Sequence, residues 1–187
     1  MASHSIAPSS RRVLVLGGAR SGKSRIAQEL AEKSGLELLY VATAQAWDDE
    51  MRERIAHHRT TRDERWSTHE EPLHLADALR LQTRASRVVL VDCLTLWLSN
   101  VMLAAHDLDA VLSDLEAAVT AASGPLILVS NEVGQGIVPD TELGRTFRDA
   151  QGRLNQRMAA LCETVILAAA GCPLVIKPTP ALNVPLA

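Results

Sequence analysis

Five short segments of this chain are apolar or aromatic at every position rather than at alternate ones: Val13–Leu16, Leu38–Ala42, Val88–Val91, Leu126–Val129 and Val165–Ala168, with Leu174–Ile176 as a further candidate. A strand with one face in water alternates, so unbroken apolarity marks strands covered on both faces, the habit of parallel sheets. The intervals between these runs carry helical patterns at about 23–34, 47–58, 72–84, 94–104, 108–122 and 140–162. Strand and helix in alternation predict an α/β fold, a doubly wound and mostly parallel sheet with helices on both faces. A chain of 187 residues suits one such domain. Residues 1–11 read as a disordered arm, 12–177 as the single folded domain and 178–187 as a Pro-rich tail. In sheets of this kind ligands bind beyond the carboxyl ends of the strands. The residues just after each strand are therefore where function is to be sought.

Several classes of function fall away on composition. A net charge of −3 gives no global positive field, and five aromatic residues leave little for base stacking, so nucleic acid is not an expected partner. The longest apolar stretch, Val165 to Ile176, is interrupted by Gly171 and Pro173 and is too short for membrane insertion. Residues 1–10 are polar and lack the apolar core of a secretory signal, so a cytoplasmic location is expected. Cys93, Cys162 and Cys172 have no metal-ligand spacing; each sits in or beside an apolar segment and reads as a buried thiol.

The first apolar run is followed by Gly17-Gly18-Ala19-Arg20-Ser21-Gly22-Lys23-Ser24 and then by a helical pattern. This fits G-x-x-x-x-G-K-[ST] between a strand and a helix, the context that phosphate binding requires. Glycines let the backbone curl so that successive N–H groups converge on phosphate oxygens, and the helix adds the positive end of its dipole. Lys23 is placed to reach the outer phosphates and Ser24 to bind Mg²⁺, which makes this a P-loop NTPase fold. The second metal contact is expected at Asp92, at the end of the Val88–Val91 run; a helix cap is the alternative reading of that aspartate. After the next run come Ser130, Asn131 and Glu132, where Glu132 is either a base or metal-water ligand or an ordinary loop carboxylate.

Thr43 and Gln45 follow the second run and are candidates for nucleotide contacts. Further on, His57 and His58 precede Arg59, Arg62 and Arg65. Adjacent helical residues project about 100° apart, so the pair does not converge on a metal. Either the histidines are stabilised by a helix C-terminus, or one of them is a nucleophile that forms a phosphoramidate beside charge-neutralising guanidinium groups. Arg148, Arg153 and Asn155 on the last long helix are candidates for substrate or subunit contacts, with a solvated helix face as the equal alternative.

The segments GGARSGKSR (17–25), YVATAQ (40–45), DDEMRERIAHHR (48–59), Asp92-Cys93-Leu94-Thr95, SNEVGQGIVPD (130–140) and FRDAQGRLNQRMA (147–159) together resemble the bifunctional adenosylcobinamide kinase / adenosylcobinamide-phosphate guanylyltransferases of cobalamin biosynthesis. The resemblance covers roughly residues 12–177. It implies phosphorylation of adenosylcobinamide by ATP or GTP, then transfer of GMP from GTP through a guanylylated histidine to give adenosylcobinamide-GDP. The histidine that carries GMP falls on His58. Nucleotide contacts fall on Gly17 to Ser24, on Thr43, Ala44 and Gln45, on Arg59, Thr60, Thr61 and Arg62, and on Glu70 and Asp92. The resemblance also implies a homotrimer and a small-molecule corrinoid partner. The segment Arg59-Thr60-Thr61-Arg62-Asp63-Glu64 departs from the family in lacking a glycine. Alternatives are a monofunctional P-loop small-molecule kinase, which forms no covalent nucleotidyl intermediate, and a nucleotide-gated switch, which needs a partner surface.

Overall fold

The apolar runs pair side by side in a seven-stranded sheet in the computed structural model, which describes residues 11–45 and 62–179. The elements are β1 (Arg12–Gly17), α1 (Lys23–Glu32), β2 (Glu37–Ala42), β3 (Trp66–Glu70), α2 (Leu75–Gln82), β4 (Arg87–Asp92), α3 (Leu94–Leu103), α4 (Leu108–Ala121), β5 (Leu126–Asn131), α5 (Glu142–Leu161), β6 (Thr164–Ala169) and β7 (Cys172–Lys177). Strand order is β3-β2-β4-β5-β1-β6-β7, parallel throughout except where β7 turns back against β6. The helix expected at 47–58 lies outside the described residues. No helix among the described residues is long and apolar enough to cross a membrane.

Alternation along each strand divides the core into two layers. Leu14, Val41, Val91 and Leu128 face α2, α3, α4 and α5, while Val15, Tyr40, Leu90 and Val129 face Ile26, Ala27 and Ala31 of α1. Connection handedness explains the split. The β1-to-β2 crossover runs one way along the sheet, and those from β3 to β4, β4 to β5 and β5 to β6 run the other way. Right-handed crossovers in opposite directions must lie on opposite faces. The expected fold class, with helices on both faces, is the observed one.

Two expectations need correction. β3 has no counterpart in the apolar runs because its sequence, WSTHE, lies at the sheet edge with three of its five residues exposed. An edge strand packed on one side needs no continuous apolarity. Cys93 and Cys162 are buried as expected, but Cys172 is exposed, because it sits on β7, the opposite edge, where both faces meet solvent.

The central strands carry the stability of this arrangement. Leu128 is fully buried in the larger layer, so Leu128→Ala should cost about 2–5 kcal/mol, read as a lower urea midpoint at unchanged m-value. Burial pushes the Cys93 thiol up to about 11 and the Cys162 thiol up to about 12. A thiol raised in this way stays protonated at pH 8, and the thiolate is the reactive form. Alkylation of the native protein at pH 8, followed by mass spectrometry, should therefore label Cys172 alone.

Candidate active site at the carboxyl edge of the sheet

The glycine-rich turn joins β1 to α1 as expected. Gly17 sits in register between Asn131 of β5 and Ala168 of β6. A Cβ at Gly17 would lie 2.5 Å from Ser21 Oγ and 2.6 Å from the Ala168 carbonyl oxygen, so only glycine fits. Gly22 caps α1 with a φ of +90°, in the region that favours glycine, and no side chain caps the helix there. The open N–H groups of the first turn are left for an anion. Gly18, Ala19 and Arg20 are exposed on the rim, Ser21 and Lys23 are buried, and Ser24 is half-buried in the first turn of α1. The Lys23 ammonium donates to the Gly18 carbonyl at 3.2 Å, folding back over the loop it serves.

Side-chain alternation decides which strand-end residues join this loop. Leu90 and Val129 face α1, so Asp92 and Asn131, each two residues further on, face it as well. Ser130 and Thr43 turn to the other side. Asp92 does not cap α3, whose N-cap position is Cys93. Its Oδ2, the Oδ1 of Asn131 and the Oγ of Ser21 are buried and have no hydrogen-bond partner. Each such atom costs about 1–3 kcal/mol. Three of them gathered around one phosphate-type turn are the signature of a site shaped for a polar ligand. The charges here act on one another: Asp92 raises the Tyr40 phenol and the Cys93 thiol beyond what burial does, while Lys23 pulls Cys93 and Arg62 pulls Tyr40 the other way.

Beyond Asp92, toward β3, the α1 side of the sheet opens into a cleft of about 390 Å³ lined by Arg62, Asp63, Trp66, Thr68 and Glu70. Arg62 stacks over the Tyr40 ring at 3.5 Å, and its buried Nη1 has no hydrogen-bond partner. Tyr40 is in register with Thr68, and Ala42 with Glu70, which puts Glu70 at the same edge as Asp92.

The other expected site residues differ in how they are held. Thr43 is fully buried. Its hydroxyl donates to the Cys93 carbonyl at 2.7 Å and accepts from the Cys93 N–H at 2.9 Å, so it ties β2 to β4 and offers no free hydroxyl to a ligand. Ala44 and Gln45 follow it, half-buried. The Glu132 carboxylate accepts the Gly134 N–H at 2.7 Å and closes the turn after β5. Asn155 is no surface contact but a buried member of a network with Ser130 and Gln151. Arg148 donates to Asp149, and Arg153 is exposed. His57, His58, Arg59, Thr60 and Thr61 lie outside the described residues. Sequence reasoning passed over Asn131 because Glu132 beside it is the more reactive group; only strand alternation shows which of the two faces the loop.

Among the described residues no group of three or more His, Cys, Asp or Glu side chains can hold a metal ion by itself. A hydroxyl at Ser24 and an orphaned carboxylate oxygen at Asp92 nonetheless suit Mg²⁺ shared with phosphate oxygens, since that ion keeps few protein ligands.

A family model described as cobinamide kinase / cobinamide phosphate guanyltransferase matches residues 13–176. The bifunctional adenosylcobalamin biosynthesis protein CobP of Pseudomonas aeruginosa is 50% identical over 171 residues, covering 90% of this chain and 99% of the relative. Its Escherichia coli counterpart, CobU, is 39% identical over 180 residues, covering 88% and 99% respectively. Among solved structures, the RadB recombinase aligns with a TM-score of 0.47 and 18% identity, covering 83% of this chain and 73% of its own.

The loop's dependence on glycine is open to a direct test. Overpacking costs about 1–3 kcal/mol, and each 1.4 kcal/mol withdrawn from binding is about tenfold in affinity. Gly17→Ala should therefore weaken nucleotide binding by about five- to hundredfold by isothermal titration, while circular dichroism keeps the native helix and strand content. Undiminished affinity would show that the loop does not hold the nucleotide.

Proposed function

The chain belongs to the cobinamide kinase / cobinamide phosphate guanyltransferase family, and on that premise we propose that it carries out both halves of the family's chemistry in cobalamin biosynthesis. It first transfers the terminal phosphoryl group of ATP or GTP to the hydroxyl of adenosylcobinamide. It then transfers GMP from GTP to the phosphate so formed, through a covalent bond to His58, giving adenosylcobinamide-GDP. The observation that carries this reading is the convergence of the P-loop, Asp92 and the Arg62–Glu70 cleft on one side of one sheet edge, in a chain whose family match spans nearly all of it.

In the kinase half the acceptor oxygen bonds to the terminal phosphorus as the bridging P–O bond breaks, and the nucleoside diphosphate leaves with the electron pair. Such transfers need positioning and charge neutralisation more than covalent help. The backbone N–H groups from Gly17 to Ser24 and the Lys23 ammonium supply both. Ser24 and Asp92 would hold Mg²⁺, which would supply positive charge to offset that of the phosphates. In the transferase half the neutral imidazole of His58 attacks the innermost phosphorus and pyrophosphate departs. Oxygen of the corrinoid phosphate then displaces the imidazole. Arg59 and Arg62 offset the charge that grows on the phosphoryl oxygens. Ala44, Gln45, Thr60, Thr61 and Glu70 complete the nucleotide contacts, with Thr43 beneath them tying β2 to β4, and the protein works as a cytoplasmic homotrimer.

Incubating the protein with α-labelled GTP and Mg²⁺, then denaturing it, should leave label on the polypeptide that is lost in acid and retained in base. The adduct should vanish in His58→Ala and survive in His57→Ala, and His58→Ala should keep most of its kinase activity. No adduct from a folded, GTP-binding protein would instead favour a kinase without a nucleotidyl intermediate.

A further inference from the structure

The mechanism above gives no task to Asn131, yet side chains hold its backbone at both the N–H and the carbonyl. Its strand runs past β4, whose last partner in the ladder is Asp92 opposite Val129. The N–H of Asn131 therefore has no strand to donate to on that side, and the Thr95 hydroxyl at the start of α3 accepts it at 2.8 Å. Its carbonyl accepts from Asn155 Nδ2 at 3.0 Å. Asn155 is fixed in turn: its Oδ1 accepts from Ser130 Oγ at 2.7 Å and from Gln151 Nε2 at 2.9 Å, and Gln151 also donates to Ser130 Oγ at 2.9 Å. Four buried polar side chains on three elements thus clamp one backbone unit. Buried networks of this kind are conspicuous for the order they impose. What they order is the Asn131 side chain, which faces α1 with a buried Oδ1 that bonds to nothing.

The place of that oxygen defines its ligand. β5 lies between β1, which leads into the P-loop, and β4, which ends in Asp92. Asn131 is therefore set between the group that grips the phosphates and the carboxylate suited to the metal. Phosphate oxygens are acceptors and do not satisfy an amide oxygen, which needs an O–H or N–H. The Lys23 ammonium is already bonded to the Gly18 carbonyl and is needed for the phosphates. The donor that a productive complex brings is the hydroxyl about to be phosphorylated. We propose that Asn131 is a further substrate-contacting residue of the kinase half, whose Oδ1 accepts a hydrogen bond from the acceptor hydroxyl and aims its oxygen at the terminal phosphorus. This rests on the phosphoryl transfer put forward above.

An amide takes no proton at neutral pH, so Asn131 orients without acting as a base. The hydroxyl oxygen bonds to the terminal phosphorus, the bridging bond breaks toward the diphosphate, and the hydroxyl proton passes to water. The guanylyl half presents an imidazole and then a phosphate oxygen to the innermost phosphorus, with no hydroxyl for Asn131 to hold. Its loss should therefore separate the two activities.

The experiment measures both half-reactions in the full-length protein, for the unaltered chain and for Asn131→Ala, Asn131→Asp and Thr95→Val. Asn131→Ala should lower kinase kcat by about a hundredfold, the scale of a misplaced reactant, with nucleotide KM and guanylyl transfer each within about threefold. Asn131→Asp restores an acceptor oxygen and should recover about a tenth of the lost rate. Thr95→Val, which loosens the clamp and leaves the amide in place, should show a smaller loss confined to the kinase half. It keeps the test alive if Asn131→Ala fails to fold. Unchanged kinase activity in Asn131→Ala, or parallel loss of both activities, overturns the proposal; the parallel loss is what a structural role or a grip on a metal-bound water would give. If the unaltered chain phosphorylates no adenosylcobinamide, the proposal falls together with the function on which it rests, whereas wild-type activity with an indifferent Asn131 variant removes the proposal alone.

Discussion

Everything at the functional end of this molecule depends on how β1 is held where it leaves the sheet. A phosphate-binding turn must point its N–H groups inward, so its carbonyl groups have to be satisfied elsewhere. The Gly17 carbonyl accepts from the Glu132 N–H at 3.1 Å and the Ser21 carbonyl from the Gly171 N–H at 2.9 Å. The Gly171 carbonyl in turn accepts from Arg25 at 2.9 Å, which pins the β6–β7 turn to the first turns of α1. Each bond contributes about 0.5–1.5 kcal/mol net. Their direction matters more than their strength. With these carbonyl groups engaged from outside the turn, its amides other than Ser21, whose N–H donates to the Gly18 carbonyl at 3.3 Å, are left open to the ligand. Gly22 lets this happen by close approach, since a Cβ there would lie 3.1 Å from Gly171 Cα.

The same strands sort their terminal residues by parity. Odd and even positions face opposite layers, so a single strand end supplies one residue to the ligand and its neighbour to the scaffold. At the end of β5, Asn131 goes to the site and Ser130 to the network under α5. At the ends of β4 and β2, Asp92 goes to the site while Thr43 locks Cys93 in place. Asn100 continues the scaffold by donating to the Thr43 carbonyl at 2.8 Å and the Pro72 carbonyl at 3.1 Å. Chemistry and support are therefore adjacent in the chain and separated by the thickness of the sheet.

This parity explains how much was legible in the sequence. The apolar runs disclosed six of the seven strands, and the glycine pattern disclosed the turn, because burial on both faces and a curled backbone each demand particular residues. The polar edge strand β3 escaped, since a strand that meets water on one side carries no such demand. Asp92 was legible because an acidic residue at the end of an apolar run stands out. Asn131 was not, because a neutral amide beside Glu132 draws no attention until the register shows which residue faces α1. The brace from Gly171 to Ser21 links positions 150 residues apart and has no local sequence signal at all.

The proposed function asks one phosphate-binding turn to serve attack at two different phosphorus atoms, a geometric problem on which the layout of the sheet edge bears. The turn is tied on both flanks by backbone hydrogen bonds, so the cradle itself has little freedom to re-aim. What varies along the edge is the chemistry beside it. Glu70 on β3 and Asn131 on β5 are separated by three strand spacings, about 14 Å at 4.8 Å each, and Asp92 on β4 stands between them. One side offers guanidinium and carboxylate groups around an open cleft, suited to a polar base and to charge on the inner phosphates. The other offers a clamped neutral acceptor, suited to a hydroxyl. On the proposed function, a nucleotide laid across this edge would meet different neighbours at its two ends, so two attacks could be kept apart by position along the sheet without any rearrangement of the turn.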